Sequence, residues 1–140
     1  MWMALDAISA SRVDNGIAAG IAHLPASARF VWLLCRTLAA VTTVPIAEEL
    51  AFRGFLLRRL ISPDFDLVDF RRFTYTAVVI SSAAFGVLHG GRWIAGTVAG
   101  ASYAVAMLRR GRIGEAVVAH ATTNALLAAW VLVRGDWYLW

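Results

Sequence analysis

Four apolar runs divide the chain between residues 28 and 134. They cover residues 28–60, 73–88, 93–108 and 113–133, and polar or glycine-containing segments separate them. As one helix the first run would be about 50 Å long, more than a hydrocarbon core of about 30 Å, and Pro45 is expected to kink it. The pattern predicts an all-α fold, a polytopic transmembrane bundle with about four core helices.

Less apolar segments flank this core. Residues 1–27 are interrupted by the DNG stretch at 14–16 and by Pro25, which predicts an amphipathic or short helical segment beside the membrane. The tail, residues 135–140, reads GDWYLW, and such aromatic residues are typical of a membrane interface. The predicted division is therefore a peripheral segment at 1–27, a transmembrane core at 28–134 and an interfacial tail at 135–140.

Composition supports a membrane protein. Hydrophobic residues make up 60% of the 140 positions and charged residues 16%, whereas soluble domains are usually about half apolar and about a quarter charged. The formal net charge is +4, and all 13 basic residues are arginine. Because these arginines flank the apolar runs, they indicate membrane topology, and we expect no nucleic-acid partner. The single cysteine, Cys35, lies in an apolar run and is expected to be a small buried hydrophobe.

The arginines predict an orientation. Cytoplasmic loops of membrane proteins are enriched in basic residues. One group lies in the loop at residues 58–72, and a second follows the third apolar run, on the same side if the spans alternate. We therefore expect this side to be cytoplasmic; its arginines are Arg58, Arg59, Arg71, Arg72, Arg109, Arg110 and Arg112.

Two adjacent glutamates and an arginine interrupt the first apolar run. Glu49 and Arg53 have the i, i+4 spacing of a helical ion pair, so Arg53 can neutralise Glu49. Glu48 lies about 100° further round the helix and has no local partner. A carboxylate without a counter-charge in a dry site takes up a proton readily, which suits a general base. The alternative is an ion-pair network that only holds helices together.

Polar groups also occur in two later runs. His89 ends the second run and shares a helical face with Phe85, and alone it could equally be an interfacial or structural histidine. His120 and Asn124 are i, i+4 in the fourth run and could donate hydrogen bonds to an oxyanion. Their alternative is an interhelical hydrogen-bond pair. Together, a base, two histidines and an amide donor suffice for water-mediated amide hydrolysis.

Three motifs in this order resemble a known family. EELAFR, FGVLH and HATTN match the EExxxR, FxxxH and HxxxN motifs of the type II CAAX prenyl endopeptidases and their bacterial relatives, the CPBP or Abi intramembrane proteases. The surrounding sequence also resembles the bacterial CAAX-protease-related group associated with exosortase systems. The resemblance implies that Glu48, assisted by His89, activates water, and that His120 and Asn124 form the oxyanion site. Glu49 and Arg53 would support these groups, as would Phe85.

Metal dependence is a separate question. Zinc accepts carboxylate and imidazole ligands, and Glu48, His89 and His120 would then hold it. The sequence contains no H-E-x-x-H pair, and pairing with Arg53 would remove Glu49 as a ligand. Metal-free activation of water is the favoured interpretation, so no cofactor is expected.

The sequence thus predicts an intramembrane endopeptidase that acts near the C-terminus of a membrane-associated peptide or protein, either prenylated and of the CAAX type, as the resemblance implies, or unprenylated. Membrane lipid would be its other partner, and the bacterial plasma membrane its location. The alternatives are a non-enzymatic factor of the same fold, serving bacteriocin immunity or assembly, and a proton or ion carrier.

Overall fold

The computed structural model describes residues 16–140, and within them it is helical without a β-strand. The predicted all-α fold is confirmed. The first 15 residues of the predicted peripheral segment lie outside the described range. The helices are α1 (Ile17–Ala22), α2 (Ala26–Arg59), α3 (Tyr75–Val87), α4 (Trp93–Arg110) and α5 (Ile113–Arg134), with short 3-10 turns at Phe65–Leu67, Gly90–Arg92 and Trp137–Leu139.

Helix α2 continues through Pro45 by changing its hydrogen-bond register. It is π-helical at Ala39–Thr43 and Leu50–Leu56 and α-helical elsewhere. The N–H of Val44 donates to the carbonyl of Ala39, a step of five residues. The next bond in this register would need an N–H at Pro45, which proline lacks. The expected disturbance at Pro45 therefore takes the form of a π-helical segment that leaves the Ala40 carbonyl open.

The π-helical turns also keep one stripe of α2 facing the bundle. Pro45, Glu49, Arg53 and Leu57 are buried at four-residue intervals. In an α-helix each such step advances by about 40°, so three steps would turn the stripe by about 120°. A π-turn contains more residues than an α-turn and therefore reduces this drift. As a result, the whole stripe faces the bundle, including the charged side chains of Glu49 and Arg53.

Helices α3 and α4 form a closely packed hairpin. Thr74 begins α3 as its N-cap, where its hydroxyl accepts a hydrogen bond from the Ala77 N–H at 3.1 Å. A Cβ atom on Gly86 would meet the backbone of α4, lying 2.8 Å from the nitrogen of Thr97. The core beside the hairpin consists of Leu57, Ala77, Phe85, Ala99, Tyr103, Ala104, Met107 and Ala116.

Two of the described helices, α2 and α5, are long and apolar enough to cross a bilayer by length and composition. Helix α3 has 13 residues, about 20 Å, which is shorter than a hydrocarbon core of about 30 Å. The first half of α2, Ala26–Leu38, contains no buried residue, and its apolar side chains, such as Phe30, are exposed. Cys35 is exposed in this half, so the expectation of a buried cysteine was wrong.

Arginines hold the loop between α2 and α3 against the helix ends. The Arg58 guanidinium donates to the carbonyls of Gly54, Asp66 and Val68 at 3.1, 2.9 and 2.8 Å. Arg71 donates to the carbonyls of Arg109 and Arg110 at the end of α4. This side of the bundle is therefore the predicted arginine-rich face.

Candidate active site

A cavity of about 150 Å³ lies between α2, α3, α4 and α5. It brings together the predicted site residues Glu48, Phe85, His89, His120 and Asn124, although they come from three apolar runs far apart in sequence. The remaining lining residues are Val44, Arg92, Tyr103, Thr123, Leu127 and Leu139. Glu49 and Arg53 are fully buried behind this cavity.

Glu49 and Arg53 form the predicted ion pair. Oε2 of Glu49 lies 3.1 Å from Nε of Arg53, and Oε1 accepts a hydrogen bond from Nη1 at 3.2 Å. The shorter Nε contact is an ion pair without hydrogen-bond geometry. Both side chains have zero solvent exposure. A buried arginine at this depth requires such a counter-charge.

The other end of Arg53 is held by α4. Its Nη2 donates to the Gly100 carbonyl at 2.6 Å, and a Cβ atom on Gly100 would lie 2.9 Å from this nitrogen. Glycine at position 100 therefore makes room for the guanidinium. The Phe85 ring lies 4.4 Å from the guanidinium carbon and packs edge-on against His120 at 5.6 Å. Phe85 thus contacts both the Arg53 guanidinium and the His120 ring, in keeping with a supporting role.

His120 connects the ion pair to the cavity. Its Nδ1 donates to Oε1 of Glu49 at 2.9 Å, because a carboxylate can only accept. The ring stacks on Tyr103 with centroids 4.8 Å apart and planes inclined by 14°. Nε2 then points towards Glu48, with 4.0 Å to Oε2. The glutamate at 49 therefore fixes both the tautomer and the orientation of His120.

Glu48 differs from its neighbour in its surroundings. Its side chain is 29% exposed, and its Oε2 is shielded and has no hydrogen-bond partner in the described part of the chain. The distance of 4.0 Å to His120 is too long for a direct hydrogen bond. As the spacing predicted, Glu49 is paired with Arg53, whereas Glu48 has no direct hydrogen-bond partner among residues 16–140.

His89 is oriented by its own helix. Nδ1 donates to the Phe85 carbonyl at 2.8 Å, one turn earlier. In the neutral ring this leaves Nε2 as a hydrogen-bond acceptor. His89 lines the same cavity as Glu48.

Asn124 makes an interhelical hydrogen bond, the alternative weighed for it from the sequence. Its Nδ2 donates to the Ala40 carbonyl at 2.8 Å. This is the carbonyl that Pro45 leaves open in the π-helical register, and buried carbonyls require a partner. The amide also lines the cavity and has a second N–H. Asn124 therefore joins α5 to α2 at the level of the site.

Sequence reasoning missed Tyr103. Its ring is 4% exposed, lines the cavity and supports one face of His120. The available signal was the one tyrosine in a helix rich in glycine and alanine. Thr122 and Thr123 donate to the carbonyls of Val118 and Ala119, one turn earlier in their own helix.

The residues named as zinc ligands line one cavity, but their arrangement is not that of a metal cluster. Among residues 16–140, no group of three or more His, Cys, Asp or Glu side chains is placed to hold a metal ion. Nδ1 of His120 is engaged by Glu49, and Nδ1 of His89 is engaged by a backbone carbonyl.

Comparison with known proteins gives one family. The model of the Rce1-like type II CAAX prenyl endopeptidases matches residues 30–126, a range that includes every candidate site residue named above. Neither the curated proteins nor the solved structures give a match.

Proposed function

Because the chain belongs to the Rce1-like family of type II CAAX prenyl endopeptidases, we propose that it is an intramembrane endopeptidase. It hydrolyses a peptide bond near the C-terminus of a membrane-associated substrate of the prenylated CAAX type. The observation that carries this proposal is the small cavity where an unpaired carboxylate, Glu48, faces two histidines whose tautomers are set by fixed partners.

Glu48 is the general base. Its partly exposed carboxylate removes a proton from a water molecule, and the water oxygen attacks the carbonyl carbon of the scissile bond. Nε2 of His89 accepts the other hydrogen of that water and orients it. Glu48 then passes the proton to the leaving amine, so the carboxylate is regenerated when the peptide bond breaks.

His120 and Asn124 stabilise the tetrahedral intermediate. When Nε2 of His120 carries a proton it donates to the developing oxyanion, while Nδ1 remains bonded to Glu49. The second N–H of Asn124 is the other donor, and the bond of the first N–H to Ala40 holds the amide in place. Preorganised donors of this kind lose little free energy to reorganisation during the reaction.

Glu49 and Arg53 are positioning residues. The carboxylate of Glu49 accepts the hydrogen bond from Nδ1 of His120 and so holds the ring, and Arg53 balances the charge of the buried carboxylate. The metal-free reaction requires no further group. Zinc held by Glu48, His89 and His120 is the competing source of an activated water.

A cleavage assay tests this proposal. Wild-type protein and Glu48→Gln are compared on a peptide with a prenylated cysteine and a free C-terminus, with Glu115→Gln as matched control. Loss of a general base should reduce kcat by about 100- to 10,000-fold. Glu115→Gln should retain activity, because Glu115 pairs with exposed Arg112 at the start of α5. Equal activity of Glu48→Gln and wild type would remove Glu48 from catalysis.

We also propose a multi-pass arrangement in the bacterial plasma membrane, with the loop at residues 58–72 in the cytoplasm. Family membership and the two long apolar helices support it. A cysteine at Ser62 in a Cys35→Ala background should react with an impermeant maleimide in inside-out vesicles and not in intact cells. Labelling of intact cells would reverse the orientation.

A further inference from the structure

A larger groove of about 600 Å³ adjoins the cavity. The two share Val44, His89, Asn124, Leu127 and Leu139 among their lining residues. Away from the shared part, the groove is lined by Trp32, Arg36 and Trp140, with Ala39 and Ala40 between. A chain whose peptide bond lies at Glu48 can therefore continue along α2 towards Arg36.

Arg36 is a cation without an anion in the described part of the chain. Its Nε is shielded from solvent and has no hydrogen-bond partner there, and no carboxylate of residues 16–140 lies within 4.0 Å of it. The guanidinium instead lies 5.6 and 5.1 Å from the ring centres of Trp32 and Trp140. By contrast, Arg53 has both a carboxylate and a carbonyl. An arginine among apolar groups is costly unless it meets a negative partner.

The distance along α2 limits what can connect the two positions. Residues 36 and 48 are 12 apart, which corresponds to about 18 Å along the helix. An extended chain covers about 3.3–3.6 Å per residue, so about five residues span this length. The side chains of Arg36 and Glu48 shorten the gap further. Only a short peptide segment fits between the cleaved bond and the guanidinium.

We propose that Arg36, flanked by Trp32 and Trp140, binds the C-terminal carboxylate of the substrate and thereby restricts cleavage to within about five residues of the chain end. This inference rests on the proposed function, because it takes Glu48 as the site of hydrolysis. A planar guanidinium matches a carboxylate in two parallel hydrogen bonds. The aromatic rings on either side hold it in the groove when no substrate is bound.

The test compares two forms of one peptide, a prenylated CAAX sequence ending in a free carboxylate or in an amide, in zwitterionic detergent. Wild type should cleave the free acid about 10- to 100-fold more efficiently in kcat/KM, as expected for a charge-assisted hydrogen bond. Arg36→Gln should cleave both forms equally, at the rate of wild type on the amide, and Arg36→Lys should restore part of the preference. Arg134→Gln is the matched control, since Arg134 also lies over a tryptophan, Trp130, and does not line the groove.

Binding separates this proposal from the proposed function. In the Glu48→Gln background, the change in tryptophan fluorescence gives the Kd of each peptide without cleavage, and the acid should bind about 10-fold or more tightly than the amide. That preference would persist even if wild type cleaved neither peptide. Equal Kd values for acid and amide would overturn the role of Arg36. A second result would also overturn it: Arg36→Gln cleaves both peptides less well than wild type by the same factor, and does so only in vesicles that contain anionic phospholipid. That result would assign the guanidinium to a lipid phosphate.

Discussion

Replacing Glu49 by alanine tests the buried ion pair most directly. The substitution removes the contacts of 3.1 and 3.2 Å to Arg53 and of 2.9 Å to His120, at side chains that are at most 3% exposed. Arg53 would keep only the Gly100 carbonyl. Removing one partner of a buried pair leaves an uncompensated charge, so we expect the free energy of unfolding to fall by about 3–5 kcal/mol.

The chain contains a matched control. Glu115 and Arg112 form an ion pair at a similar distance, 2.9 Å, but their side chains are 30% and 68% exposed. Glu115→Ala should cost about 1 kcal/mol or less, because water and salt already screen this pair. The difference between the two substitutions measures the effect of burial on an otherwise similar ion pair.

The measurement is equilibrium unfolding by SDS in mixed micelles, followed by circular dichroism and by peptide cleavage. A double variant, Glu49→Leu with Arg53→Met, should recover most of the stability while activity stays low, because it removes both charges together. If the free energies of unfolding of Glu49→Ala and Glu115→Ala differed by less than about 1 kcal/mol, the reasoning that burial makes this pair essential would be refuted.

Three further changes have defined outcomes. Asn124→Ala should lower kcat by about 100- to 1000-fold in the cleavage assay, and near-normal turnover would remove it from the oxyanion site. Gly86→Ala should lower the free energy of unfolding by about 1–3 kcal/mol, because its Cβ would collide with α4. Gly91→Ala, with no atom within 4 Å of the added Cβ, is the control, and equal losses would contradict this packing. Exhaustive chelation of metal ions should leave the cleavage activity unchanged. If the purified protein instead contained one zinc per chain, and chelation abolished activity that added zinc restored, the metal-free mechanism would be wrong.

The helices were largely predictable because their signals are local. The predicted fourth run, 113–133, became Ile113–Arg134, and the third, 93–108, became Trp93–Arg110. Both ends carry arginines followed by a glycine in left-handed conformation, Gly111 and Gly135, a common way to end a helix. The i, i+4 ion pair of Glu49 and Arg53 was predictable for the same reason, since one helix contains both partners.

The tertiary contacts at the site were not predictable in this way. The bond from Asn124 to Ala40 joins two helices across 84 residues of sequence and depends on a carbonyl that the π-helical register leaves open. Tyr103 and Arg36 are single residues without a motif, and their proximity to the cavity follows from helix packing. Periodicity shows which face of a helix is polar, but it does not show which carbonyl or ring will lie opposite.

The local spacing of Glu49 and Arg53 also matters for how the protein enters the membrane. A charged residue at the centre of an inserting helix costs about 2.5–3.5 kcal/mol, and α2 is synthesised before α5. Since the two partners are four residues apart, their charges can compensate as soon as α2 is helical. His120, 71 residues after Glu49, joins the pair only later. Helix α2 therefore carries both Glu49 and its counter-charge, Arg53, before the other helices of the site are in place.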